Sequence, residues 1–65
     1  MNAVDIGRRL RKLRGKRTQK EVSKAIGCSE SAVNMWENGL RIPRDEVKKR
    51  LSDYYGVSVE EIFFK

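Results

Sequence analysis

Residues 18–39 read TQKEVSKAIGCSESAVNMWENG, and this stretch decides the fold of the chain. It contains two short amphipathic segments separated by a glycine-containing turn at residues 27–29. Thr18 and Glu21 have the spacing of a capping box, in which each side chain accepts a backbone N–H of the other residue at the start of a helix. The sequence therefore predicts two helices that meet at a tight turn.

The two predicted helices can share one apolar seam. A turn of three to four residues that contains glycine is typical of the helix-turn-helix motif. The apolar residues that would pack between the two helices are Val22, Ile26, Val33 and Trp36. We therefore predict a helix-turn-helix motif at about residues 18–37.

The second helix of this motif has an unusual distribution of charge. The chain has 15 Lys and Arg against 9 Asp and Glu, yet residues 25–40 contain no basic residue. On a helical wheel at about 100° per residue, one arc consists of Glu30, Ser31, Asn34 and Asn38. Asn can bond adenine, Glu can accept from cytosine, and Ser can do either. This face is suited to reading base edges, although a solvated helix face is an alternative interpretation.

Apolar residues recur at helical spacing in the rest of the chain, and no segment alternates with a period of two. The predicted buried positions are Ile6, Leu10 and Leu13, then Val22, Ala25 and Ile26, then Val47, Leu51 and one or both of Tyr54 and Tyr55, and finally Ile62 and Phe63. Pro43 separates the third and fourth helices, and Ser58 with Glu61 predicts a second capping box. We expect an all-α fold, a compact bundle of five short helices.

Composition limits the function. A chain of 65 residues has room for one domain, here residues 1–65. It has no His and a single Cys, which argues against His-based catalysis, a zinc site and a disulfide scaffold. No cofactor, metal or small-molecule ligand is expected, no membrane association either, and the location expected is cytoplasmic. A net charge of +6 favours a polyanionic partner, nucleic acid before acidic membrane.

Two further features have ordinary explanations. The basic run at residues 8–17 is interpreted as a solvated outer face, with Arg8, Arg11 and Lys12 projecting away from the core. A peripheral membrane anchor and an RNA-binding segment are the alternatives. Cys28 is interpreted as a small turn residue, and a redox role is the alternative.

The segments TQKEVSKAIG, SESAVNMWENG, IPR and YYGVSVEEIFF together resemble the Cro/C1-type helix-turn-helix family, the DNA-binding domain of phage repressors and Xre-like bacterial regulators. The resemblance covers about residues 5–64. It implies a lambda repressor-like fold, a double-stranded DNA partner and a bacterial or phage-encoded protein at the nucleoid.

The resemblance also implies roles for individual residues. The base-reading positions are Glu30, Ser31, Asn34 and Met35. The phosphate-contacting positions are Gln19, Ser29, Asn38, Arg41 and Arg44. Arg14 and Glu37 match a pair that ties the first helix to the third, and Trp36 is structural. At Ser23 the family usually has alanine, so the hydroxyl of Ser23 needs a hydrogen-bond partner.

The function expected is that of a sequence-specific regulator, a repressor that binds a palindromic operator as a homodimer with its third helix in the major groove. The apolar C-terminal helix is the candidate dimer interface, and we expect Phe64 to be exposed in a monomer. The alternative is a protein-interaction module such as an antitoxin-like regulator. An enzyme is not expected, because no histidine base or metal-ligand cluster accompanies the Ser, Cys and carboxylates.

Overall fold

A computed structural model describes all residues, 1–65, and the predicted all-α fold is confirmed. Five helices follow one another without a strand. They are α1 (Ala3–Arg14), α2 (Gln19–Ile26), α3 (Glu30–Glu37), α4 (Asp45–Tyr55) and α5 (Val59–Phe63). None of the five is long and apolar enough to cross a membrane.

Polar side chains start most of the helices by satisfying free backbone N–H groups. Thr18 and Glu21 form the predicted capping box at α2, with both of its hydrogen bonds present. The second predicted box is only half formed, because the Ser58 hydroxyl accepts the Glu61 N–H at 3.1 Å without the return bond being made. Asn2 caps α1, a cap that the sequence analysis did not identify.

Nine apolar side chains form one core between the helices. They are Ile6, Leu10, Val22, Ile26, Val33, Trp36, Leu51, Ile62 and Phe63. Leu13, Val47, Tyr54 and Tyr55 are half-buried around it. Most of the predicted core positions are therefore correct.

The buried face of α2 differs from the prediction at one position. Ala25 is exposed, and Ser23 is buried in its place. The centre of the stripe defined by Val22 and Ile26 is equally far from Ser23 and Ala25 at about 100° per residue. The packing of α2 against its neighbouring helices therefore decides that Ser23 is the buried one. The burial of a hydroxyl is tolerated because Ser23 Oγ donates to the carbonyl of Lys20 at 2.8 Å.

The turn between α2 and α3 is fixed from both sides. Gly27 adopts φ +79, a left-handed conformation that favours glycine, and its N–H bonds to the carbonyl of Ser23 at 2.9 Å. Arg50 from α4 donates to the carbonyl of Ile26 at 3.3 Å, so the end of α2 also bonds a distant helix. The orientation of α3 relative to α2 follows from this turn.

Candidate nucleic-acid interface

Helix α3 has a packed back and an exposed front. Ser29 begins it by accepting the N–H of Ala32 at 3.0 Å. Val33 and Trp36 anchor the back of the helix in the core, where Trp36 is 6% exposed. The exposed residues at the front are Ser29, Glu30, Ser31, Asn34 and Asn38, and Met35 is half-buried at its edge. All the predicted base-reading positions thus lie on one helix, and three of the four are exposed.

Helix α1 crosses the C-terminal end of α3 at very short range. A Cβ placed on Gly7 would lie 2.5 Å from the carbonyl oxygen of Glu37 and 2.7 Å from that of Trp36. Only glycine permits this approach, because any side chain would overlap the backbone of α3. The crossing brings the basic side of α1 next to the front of α3.

A buried carboxylate holds the two helices together at this crossing. The side chain of Glu37 is 1% exposed, and Arg14 donates to its two oxygens at 2.7 and 3.0 Å. This hydrogen bond raises the pKa of Arg14 above its ordinary value, and burial lowers it by less. Gln19 donates to the same carboxylate at 3.1 Å. Glu37 therefore lies at the crossing of α1 and α3 and does not face the exposed front.

The polar groups at the front of α3 continue from this carboxylate in a series of hydrogen bonds. Asn34 Nδ2 donates to Gln19 Oε1 at 3.3 Å, and Asn38 Nδ2 donates to Asn34 Oδ1 at 3.0 Å. Arg11 from α1 then donates to Asn38 Oδ1 at 2.9 Å, and its Nε lies 4.0 Å from Glu37 Oε1. We call Arg11, Arg14 and Gln19 the α1–α2 flank of the interface.

Arg11 is exposed, as the sequence predicted, with 58% of its side chain accessible, but it points along the end of α3 and not away from the other helices. Helix α1 crosses α3 at Gly7, so the side of α1 that holds Gly7, Arg11 and Arg14 faces the end of α3. These three residues have the spacing i, i+4, i+7 of one helix face. In the sequence, a glycine followed at this spacing by two arginines was the pattern that could have indicated this contact face of α1.

The other side of α3 borders the loop before α4. Its two arginines, Arg41 and Arg44, are exposed, and we call them the loop flank. They stand at the edge of a groove of about 420 Å³. The rest of its lining consists of Cys28, Ala32, Trp36, Ile42, Pro43 and Val47. Cationic groups therefore lie on both sides of the exposed front, as phosphate contacts on both sides of a groove require.

The half-buried Cys28 thiol is free and lies in this groove. No group of three or more His, Cys, Asp or Glu side chains is arranged to hold a metal ion. The chemistry that the interface offers is hydrogen bonding and positive charge.

Comparison with known families agrees with this geometry. The model of a helix-turn-helix family matches residues 8–62, which is most of the chain. The chain belongs to the Cro/C1-type helix-turn-helix family. It is accordingly a DNA-binding transcriptional regulator, and its partner is double-stranded DNA. The chain has no significant match among curated proteins or among solved structures.

Family membership gives the helices of this Cro/C1-type chain their roles. Helix α2 corresponds to the scaffold helix and α3 to the recognition helix of the motif. The match includes Arg11 and Arg14 on α1 and ends within α5, so the flanking helices belong to the same unit.

Proposed function

We propose that the protein is a repressor that binds a palindromic operator as a homodimer, with α3 of each copy in the major groove. The observation that supports this most directly is the exposed front of α3, which has no basic side chain, between two flanks that carry arginines. An α-helix fits the major groove, and short polar side chains on it can reach base edges while cations bind the phosphates on either side. The whole chain acts as one DNA-binding domain in this proposal, without catalysis, in the cytoplasm of a bacterium.

The proposal assigns the base edges to four residues of α3. Asn34 bonds a base through its amide, Glu30 and Ser31 bond others from the first turn, and Met35 packs against a thymine methyl. Because Glu30 is an anion, it is repelled by phosphate and gains only where a cytosine amino group faces it. Glu30 therefore excludes wrong sequences as well as selecting correct ones.

Phosphate contacts are assigned to both flanks. Gln19 and Ser29 lie at the N-terminal ends of α2 and α3, where backbone N–H groups favour an anion. Asn38, Arg41 and Arg44 follow the end of α3 and would contact the opposite strand. These contacts supply affinity that does not depend on sequence and falls as salt rises.

The proposed dimer uses the C-terminal end of the chain. Phe63 is completely buried, whereas the next residue, Phe64, is 58% exposed. The Lys48 amine lies 5.5 Å from the Phe64 ring centroid and fixes one side of this ring. An ordered aromatic ring at the surface is a typical anchor for a protein interface. In the proposed dimer the two α3 helices lie about 34 Å apart, one turn of B-DNA, so that each enters one half-site.

The test of this function is selection of bound sequences from random double-stranded DNA. We expect an inverted repeat with half-site centres about 10 bp apart. Selection of no sequence would refute the proposal and favour the protein-interaction alternative. A single half-site without symmetry would refute the dimer alone.

The dimer has its own test in analytical ultracentrifugation with and without the selected DNA. Phe64→Ala should weaken self-association and binding to the full palindrome, while binding to one half-site changes little. Leu40→Ala is the matched control, because Leu40 is an apolar side chain that is 72% exposed and belongs to the loop between α3 and α4. Equal effects of the two substitutions would rule out Phe64 as the anchor.

A further inference from the structure

The series of hydrogen bonds across the front of α3 ends in opposite charges. At one end Glu37 is a carboxylate, which can only accept hydrogen bonds. At the other end Arg11 is a guanidinium, which can only donate. Between them lie three amides, each of which has one donating and one accepting end. They are the side chains of Gln19, Asn34 and Asn38.

The two end charges favour one orientation of the amides over the reverse. If the Gln19 amide were reversed, its carbonyl oxygen would face Glu37 Oε1 across the 3.1 Å contact, acceptor against acceptor. If the Asn38 amide were reversed, its NH₂ group would face Arg11 across 2.9 Å, donor against donor. The nitrogen of every amide therefore points toward Glu37, and every oxygen points toward Arg11. Asn34 is in the middle and is fixed from both sides.

This orientation leaves Asn34 able to bind a base. An amide NH₂ has two hydrogens and an amide oxygen has two lone pairs. On Asn34 the series uses one hydrogen, toward Gln19, and one lone pair, toward Asn38. The remaining N–H and lone pair are the two groups that adenine requires at N7 and N6.

The orientation also decides which strand can carry the adenine. Inverting an A·T pair to T·A puts the thymine methyl and O4 where N7 and N6 of the adenine had been. An amide that turns freely can then donate its NH₂ to O4, whereas a fixed amide presents its oxygen to O4, acceptor against acceptor. We propose that Arg11 is a positioning residue that fixes the amide of Asn34 and thereby makes α3 distinguish A·T from T·A at the base pair that Asn34 contacts. The inference rests on the proposed base-reading role of Asn34.

The experiment first identifies that base pair as the one whose preference is lost in Asn34→Ala. Binding to the selected operator and to the operator with this pair inverted is then measured for the wild type, Arg11→Met and Arg8→Met. Arg8 is exposed one turn earlier on α1, so its substitution removes the same charge. We expect the wild type and Arg8→Met to prefer one orientation by about tenfold, and Arg11→Met by less than about threefold. Arg11→Lys, which retains a cationic donor, should recover part of the preference.

An equal preference in Arg11→Met and Arg8→Met would overturn the inference and leave the proposed function intact. If Asn34→Ala loses no base preference, the base-reading role of Asn34 is wrong and the inference is overturned with it. A wild type without any sequence preference would refute the proposed function itself.

The series is also testable without DNA. In the free protein, Arg11→Met should shift the side-chain NH₂ signals of Asn38 and Asn34 in ¹H–¹⁵N spectra. It should also reduce the difference in chemical shift between the two hydrogens of each NH₂ group. Arg8→Met should have neither effect. A structural role of Arg11 alone would change the melting temperature without this pattern. Unmoved amide signals in Arg11→Met would show that the charge of Arg11 does not orient Asn34.

Discussion

On one side of α3, Arg11, Arg14 and Gln19 are joined by hydrogen bonds to the side chains of the helix. On the other side, Arg41 and Arg44 extend from a loop and are exposed. The first arrangement holds polar groups in a fixed geometry before any ligand arrives, and the second leaves cations free to adjust. Base edges differ only in the placement of donors and acceptors, so reading them requires fixed groups, whereas a phosphate can be contacted from many directions.

The buried side of α3 supports both flanks, so removing its largest side chain should have the largest effect on the free energy of unfolding. Trp36 is buried in the core and lines the groove of the loop flank. Trp36→Ala should lower the free energy of unfolding by about 3–5 kcal/mol, which is most of the stability of so small a domain. Urea denaturation followed by circular dichroism measures this, and Trp36→Phe should lose clearly less. A Trp36→Ala variant that melts cooperatively near the parent temperature would contradict the structural role.

The crossing at Gly7 should be the next most sensitive point, and it affects the α1–α2 flank alone. Alanine normally stabilises a helix by about 0.5–1 kcal/mol relative to glycine. Gly7→Ala should instead destabilise by about 1–3 kcal/mol, because the methyl group would overlap the backbone of α3. Arg8→Ala, at the adjacent exposed position, is the control and should change stability little. A stabilised Gly7→Ala variant would mean that α1 does not approach α3 this closely.

Asn34 is hydrogen-bonded to the α1–α2 flank through Gln19, and its substitution tests the function of this side of α3 in DNA binding. Asn34→Ala should lose about 1–3 kcal/mol of affinity for the selected operator, because a bidentate base contact is removed. Its affinity for random DNA should stay nearly constant, since phosphate contacts are retained. Fluorescence anisotropy with both DNAs at one salt concentration measures the difference. Equal losses on the two DNAs would make Asn34 a phosphate contact.

Tyr55 lies near Glu37 and Arg14, and its ionisation makes the stability of the fold depend on pH. Burial first, then the nearby Glu37 carboxylate, raises the pKa of Tyr55 from 10.0 to about 12. The folded state therefore holds this proton more tightly than the unfolded state. The resulting stability is complete below pH 10 and is lost as pH rises from 10.0 toward about 12. Because the ring is only half-buried, we expect a loss of about 1 kcal/mol attributable to Tyr55.

Chemical denaturation across this pH range should show a smaller fall in stability for Tyr55→Phe than for the wild type. Tyr54→Phe is the control, since its ring lies 5.0 Å from that of Tyr55 and should leave most of the fall in place. Identical slopes for Tyr55→Phe and the wild type would show that Tyr55 does not carry the effect.

The loop flank should give the smallest change. Arg41→Ala should weaken binding to operator and to random DNA alike and reduce the salt dependence of binding by about one unit of slope. Titrations at several salt concentrations measure that slope. A loss confined to the operator would place Arg41 among the base readers and remove the distinction between the two flanks.

Local chemistry explains why much of this molecule is predictable from its sequence. The capping box at Thr18, the glycine turn after α2 and the apolar seam of Val33 and Trp36 are signals of neighbouring residues, and the structure contains all three. The position of Ser23 was predictable only from the family resemblance. A wheel based on hydropathy prefers Ala25, and the buried hydroxyl is allowed by a hydrogen bond that hydropathy does not describe.

The α1–α2 flank could be predicted only in part, because the contacts of its side chains depend on how the helices cross. The pairing of Arg14 with Glu37 came from the resemblance. The contact between Arg11 and Asn38 joins residues 27 apart in sequence and exists only because α1 passes over the end of α3. This crossing is possible because Gly7 has no side chain. Gly7 is one of five glycines in the chain, and the sequence alone does not distinguish it from the other four.

Helix α5 has only five residues, too few to persist alone in water. Arg9 donates to the carbonyls of Ile62 and Lys65 at 2.9 and 2.5 Å, so α5 is fastened to the same helix that Gly7 and Arg14 fasten to α3. Helix α1 thus contacts both the C-terminal end of the chain and the recognition helix α3. In a pair of molecules joined through Phe64, the distance between the two recognition helices would depend on how α5 packs against α1 and α4 and on how α1 crosses α3, so a substitution in these contacts would change the preferred operator spacing without removing a DNA-contacting side chain.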